Sequence, residues 1–163
     1  MPRGRPLDVS AELIEGFVQC GRVTEYLVGI LSAEIWRAKP PGGRGRTIAA
    51  IVAHIQSVRR TFARMGGARP NPPSLDRLRC TPAEAQGAIR LSTDALATLF
   101  ERAIAAGRAR VPGQPRRVVD MATYLMQHDA HHRGQIFVLA KDLDHEFAPG
   151  DVTRVWGWRK LSS

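Results

Sequence analysis

The chain predicts an all-α fold, most simply an antiparallel four-helix bundle, on three observations. Apolar residues recur three and four apart through four long segments. Clusters of proline and glycine separate those segments. No stretch alternates as a half-buried strand would, and no period of roughly 20–50 residues repeats. With 163 residues and 44 % hydrophobic content, one core is affordable and a single domain over 1–163 is expected, residues 1–7 forming a flexible tail.

The first helical segment covers 9–31, where Leu13, Phe17, Cys20, Val23, Leu27 and Ile30 or Leu31 share one face, and Asp8 or Ser10 can cap its start. The run Lys39-Pro40-Pro41-Gly42-Gly43-Arg44-Gly45 then breaks the helix, because proline removes backbone donors and glycine admits positive φ. Thr47 caps a second segment over 47–65, with Ile48, Ile51, Val52, Ile55, Val58 and Phe62 as its buried stripe. His54 falls on or beside that stripe. Gly66-Gly67 ends the segment, and Pro70, Pro72 and Pro73 keep the link to Cys80 extended.

The third segment opens with Thr81-Pro82-Ala83-Glu84, in which threonine caps, proline takes the first helical position and glutamate completes a capping box. It should end near Gly107. Gly87 costs about 1 kcal/mol relative to alanine, tolerable if another helix approaches there. A fourth segment starts near Pro115 or Arg116, with Met121, Leu125, His128, His132, Ile136 and Leu139 facing inward. The tail over 147–163, with Val155-Trp156-Gly157-Trp158, reads as an irregular cap on the bundle.

Charge and composition exclude several classes. The net charge is +9, from 24 basic and 15 acidic residues. It is spread over Arg59-Arg60, Arg64, Arg77, Arg79, Arg108, Arg110 and Arg116-Arg117, without a like-charge block or aromatic interleaving. Solvated helix faces are therefore the expectation, with no sequence-specific nucleic-acid surface. No apolar run approaches the roughly 18 residues of a membrane span, and no apolar h-region follows the basic N-terminus. A cytoplasmic location is expected. Cys20 and Cys80 form no CxxC pattern, which fits a reducing compartment, and a bridge between them is not expected. The Arg- and Ala-rich, Lys-poor usage suggests a GC-rich bacterial genome.

The chemistry concentrates in Gln127-His128-Asp129-Ala130-His131-His132-Arg133-Gly134-Gln135. His128 and His132 lie one helical turn apart, with Cβ atoms about 5–6 Å apart, a gap that two metal–nitrogen bonds of about 2.0–2.1 Å can bridge. His54 can add a third nitrogen from another helix, leaving coordination positions open for water or substrate. Alone, however, a histidine on an apolar stripe is more often a core residue hydrogen-bonded through one nitrogen. His128 and His131 could form the pair instead, but His131 lies about 100° around the helix from the stripe. It then sits at the side, as a donor behind the ligands or an interface residue. Asp129 points away from the His128/His132 face and reads as a surface charge, unless a neighbouring helix brings it back as an acceptor. His145 reads as solvent-exposed and Arg133 as facing solvent or a carboxylate.

Gln135 can line the metal cavity or simply pack, and Gly134 permits close helix approach. Tyr124, one turn before His128, can donate a proton to substrate, burial with a satisfied hydroxyl being the plainer role. Trp36, Trp156 and Trp158 can rim the pocket or close the end of a small core.

The elements Trp36-Arg37-Ala38-Lys39-Pro40, Arg46-Thr47-Ile48, Val52-Ala53-His54-Ile55 and His128-Asp129-Ala130-His131-His132-Arg133-Gly134-Gln135-Ile136 together resemble the DinB-like (DNA-damage-inducible) metal-binding bundle superfamily, over about residues 9–159. The histidine cluster followed by Arg-Gly-Gln-Ile is the most specific part. The resemblance implies a divalent ion held by His54, His128 and His132; three imidazoles suit zinc, nickel, iron or copper, and zinc or nickel is expected. It also implies a metal-dependent transferase of low-molecular-weight thiols acting on a small electrophile, and a homodimer. The contrasting expectation is a non-catalytic stress-related protein that holds metal or ligand, with at most nonspecific nucleic-acid contact. Neither an acid/base pair nor a cysteine stands beside the histidines in sequence.

Overall fold

Asp8 starts the first helix: its carboxylate accepts from the backbone N–H groups of Ser10 and Ala11, satisfying donors that a helix start leaves free. In this computed structural model, which describes residues 6–156 and 161, that helix is α1, Val9–Ile30. A one-turn helix α2, Ala33–Trp36, and a 3₁₀ turn at Pro41–Gly43 follow in the first connection. Thr47 caps α3, Ile48–Met65, by accepting from the Ala50 N–H at 3.2 Å. Thr81 and Glu84 form the reciprocal capping box of α4, Pro82–Ala105. Then come α5, Val118–Asp142, and α6, Pro149–Val155. No strand occurs among the described residues, and none of their helices is long and apolar enough to cross a membrane.

The expected irregular cap is corrected by α6. Pro149 takes its first position, and the Asp151 carboxylate accepts from the Ala148 N–H at 3.1 Å. Tyr26 hydrogen-bonds Asp151, and Arg154 donates to the Tyr26 hydroxyl at 3.2 Å, fastening α6 to α1. Residues 157–160 and 162–163 of the expected cap lie outside the described residues.

The four long helices pack pairwise, α1 against α4 and α5, and α3 against α4 and α5. Cross-helix pairs give their directions. Glu25 meets Arg90 and Gly21 meets Thr93, so α1 and α4 run oppositely. Gln56 meets Ser92 and Gly66 meets Leu99, so α3 and α4 run the same way. His54 meets His132 and Phe62 meets Tyr124, so α3 and α5 oppose each other. The connection 66–81 therefore travels the length of the helices. Gln56 and Arg60 hold it by donating to the Pro73 and Pro72 carbonyls, at 2.8 and 3.0 Å.

Two apolar clusters fill the ends of this packing. One gathers Leu27, Val28, Trp36, Ile48, Val52, Ile55, Ile89 and Ile136; the other gathers Ile14, Phe17, Ala63, Leu96, Phe100, Met121 and Leu125. Between them, each long helix contributes buried polar residues: Thr24, Gln56, Arg59, Ser92, Thr93 and Asp129. Trp36, 1 % exposed, closes one end of the core and donates its indole N–H to the Cys80 carbonyl at 2.7 Å. Trp156 is exposed, and Trp158 lies outside the described residues.

Close helix approach occurs at Gly21, where an added Cβ would lie 2.3 Å from Thr93 Oγ1. The expectation that Gly87 and Gly134 serve this purpose is corrected, since neither would meet any atom within 4 Å. Cys20 and Cys80 are both free thiols.

Candidate metal centre

His54 rides on α3 between Ile51 and Val58, on the flank of the apolar stripe, so its ring is half-buried and turned towards α5. On α5, His132 is buried at 7 % exposure and His128 is half-buried. The antiparallel run of α3 and α5 brings all three rings together. Ring centroids lie 5.2 Å apart for His54 and His128, 4.8 Å for His54 and His132, and 4.5 Å for His128 and His132. One ring nitrogen from each lies within 4.8 Å of the others, a grouping able to hold a metal ion.

The closest approach fits the spacing a shared ion would need. His128 Nε2 and His54 Nε2 are 3.3 Å apart. Two nitrogens sharing a tetrahedral ion at about 2.0–2.1 Å each would lie about 3.3–3.4 Å apart. Without an ion, one of the two must carry a proton and donate it to the other.

Protonation favours open lone pairs. Burial lowers the His54 pKa below the ordinary histidine value, reinforced by the positive charges that His132, His128 and Arg46 would bring. Burial likewise lowers that of His132, against the raising effect of its hydrogen bond to Gln135. Both rings are neutral at neutral pH, the state a ligand needs.

Gln135 bridges two histidines of α5. Its Oε1 accepts from His132 Nδ1 at 2.8 Å, which leaves His132 Nε2 bare, and its Nε2 donates to His131 Nε2 at 3.0 Å. His131 is exposed and outside the three-histidine group, so it fixes the Gln135 amide and contributes no nitrogen to the centre. His145 is half-buried rather than exposed, its ring 4.7 Å edge-on from Phe147, because the turn after α5 folds back onto the aromatic pair Phe137–Phe147. Tyr124 lies at the rim, with ring centroids 5.9 Å from both His128 and Phe62 and the Arg116 guanidinium 4.8 Å above it.

Behind His128 stands a group that single-helix phase assigned wrongly. Asp129 and Arg59 are both fully buried and paired, not solvated surface charges. Arg59 Nε donates to Asp129 Oδ2 at 3.0 Å and Nη2 donates to the same oxygen; Nη1 donates to Thr93 at 2.5 Å. Thr24 adds a bond to Asp129 Oδ2 at 3.2 Å. Burial works to raise the Asp129 pKa, but the Arg59 guanidinium beside it overcomes that and holds the carboxyl below the usual range. Arg133 is half-buried, and its charge acts on the Asp129 carboxylate. It donates to the Cys20 carbonyl and sulfur and to Thr24 Oγ1, because α1 covers that face of α5.

The family model described as DinB family matches residues 5–159. No curated protein matches the chain.

Proposed function

The chain belongs to the DinB family, and from that membership we propose that it is a metal-dependent transferase of low-molecular-weight thiols onto small electrophiles. In this reading His54, His128 and His132 hold a divalent ion, zinc or nickel. The convergence of their nitrogens within 4.8 Å, from two helices, carries the proposal. A set of three neutral imidazoles suits a borderline transition metal and leaves coordination positions open. The ion supplies Lewis acidity, lowering the pKa of a coordinated thiol or water towards neutrality.

The rest of the chemistry falls to the chain. Gln135 orients His132 so that Nε2 faces the site. Arg46, whose positive charge acts on both His54 and His132, favours an electron-rich ligand there. Tyr124, held under Arg116 at the rim, offers a phenol within reach of a bound substrate. The apolar cluster under His54, built from Ile51, Val52 and Ile55, excludes water from the buried side. The same reading takes the four long helices as one bundle and one domain, acting as a homodimer.

The test is metal content after native purification, followed by turnover of an electrophile with several low-molecular-weight thiols. We expect one ion per chain and thiol-dependent turnover that a chelator removes. Stoichiometric metal without such turnover would leave a metal-binding protein and reject the transferase.

A further inference from the structure

His128 Nδ1 and Asp129 Oδ1 are each buried without a hydrogen-bond partner, and they lie 3.7 Å from one another. That gap is too long for a hydrogen bond and too short for a bridging water, which at ordinary bond lengths of about 2.8 Å joins atoms about 4.5 Å apart. The two atoms have only each other. If the His128 proton sat on Nε2, the bare Nδ1 would face a carboxylate oxygen in a buried place, with two acceptors opposed and neither satisfied. With the proton on Nδ1, a movement of about 0.8 Å closes a charge-assisted hydrogen bond.

We infer that Asp129 is the positioning residue of His128: it fixes the tautomer with the proton on Nδ1 and so turns a bare Nε2 towards His54 and His132. This rests on the three-histidine metal reading for its purpose, but the tautomer itself does not depend on it. The carboxylate can do this because it cannot turn away. Its other oxygen is tied to Arg59 from α3 and Thr24 from α1, and Arg59 is tied in turn to Thr93 from α4. All four long helices thus converge on the residue that orients one ligand. His132 receives the same treatment from a neutral acceptor, Gln135. Carboxylates and amides behind metal-bound imidazoles fix ring orientation in this way and raise ligand basicity.

The experiment has two arms. Nitrogen-15 NMR of the histidine rings in the wild-type protein, metal-free and zinc-loaded, reads the His128 tautomer directly. Protonated Nδ1 in both states, with zinc on Nε2 in the second, is the expected result. A proton on Nε2 in the metal-free protein, or zinc on Nδ1, overturns the assignment even if zinc binds stoichiometrically. Failure of zinc to bind removes the metal reading, while the metal-free spectrum still decides the tautomer.

The second arm measures zinc affinity by calorimetry in Asp129→Asn and in Thr24→Val, the latter keeping the Arg59–Asp129 pair should the former not fold. Asp129→Asn should weaken zinc binding by about 10–100-fold, and Thr24→Val should weaken it less. Wild-type affinity in a folded Asp129→Asn variant, or in Thr24→Val where Asp129→Asn does not fold, would refute the positioning role.

Discussion

Arg59 on α3 and Asp129 on α5 form an ion pair from which water is wholly excluded, in the polar layer between two apolar clusters. Taking one partner away strands the other. Arg59→Ala should destabilise the fold by about 3–5 kcal/mol, and the double change Arg59→Met with Asp129→Leu should recover part of that loss. Urea denaturation of the single and double variants measures both. Equal stability of Arg59→Ala and wild type would show that the pair contributes nothing.

Tight metal binding should vanish in His132→Ala, which leaves one ligand on α5, and survive in His131→Ala and His145→Ala, whose rings stand outside the group. Metal analysis with calorimetric titration of the three proteins checks this. Loss in His131→Ala at the level of His132→Ala would move the pair to His128 and His131.

Gln135→Leu removes the acceptor that holds the His132 proton on Nδ1. Metal affinity should fall by about 10-fold or somewhat more, without the complete loss expected at His132. An unchanged dissociation constant would reduce Gln135 to packing.

These outcomes trace what a single sequence can reveal. His128 and His132 were legible because a spacing of four puts two side chains on one helix face. His54 is legible as a candidate third nitrogen from the apolar phase of its neighbours, and the resemblance adds to that reading. Asp129 and Arg59 are not, because a single hydrophobic stripe per helix leaves both on solvated faces. A helix packed against two partners buries two faces, and α5 turns its histidines towards α3 and its Asp129 and Arg133 towards the interior and α1. The caps at Thr47 and Thr81 follow from local chemistry alone, and of the two candidates at the first helix start it is Asp8 that caps. The shared direction of α3 and α4 depends on the path of a loop, which no local pattern encodes.

Acidification should weaken both the metal site and the metal-free fold. The pKa values of His54 and His132 are lowered by folding, so the unfolded chain binds protons first as pH falls. Stability tied to these rings is fully present above the unfolded value of about 6.5 and is lost as pH drops through the lowered folded-state values. Metal competes with the same protons, so half-occupancy should come below that reference and the release should be steep. Thermal melts and metal retention between pH 7.5 and 4.5, roughly spanning the histidine range, test this; stability rising on acidification would contradict the sign.

Gly21→Ala should lower the melting temperature although alanine is the better helix former. The new methyl would meet Thr93 Oγ1 at 2.3 Å and Cγ2 at 2.7 Å. Thr93 cannot yield freely, being bonded to Arg59 at 2.5 Å and to the Ile89 carbonyl at 2.8 Å. Overpacking costs about 1–3 kcal/mol, which exceeds the helix gain of about 0.5–1 kcal/mol. Calorimetric melting of the variant gives the net sign.

The imidazole of His54 meets that of His128 across 74 residues of chain, with the whole of α4 between them in sequence. A chain leaving the ribosome exposes its first imidazole long before the other two. The three-nitrogen group can therefore assemble only after the last long helix has emerged and docked. A chain truncated within α4 carries His54 yet cannot complete the three-nitrogen group.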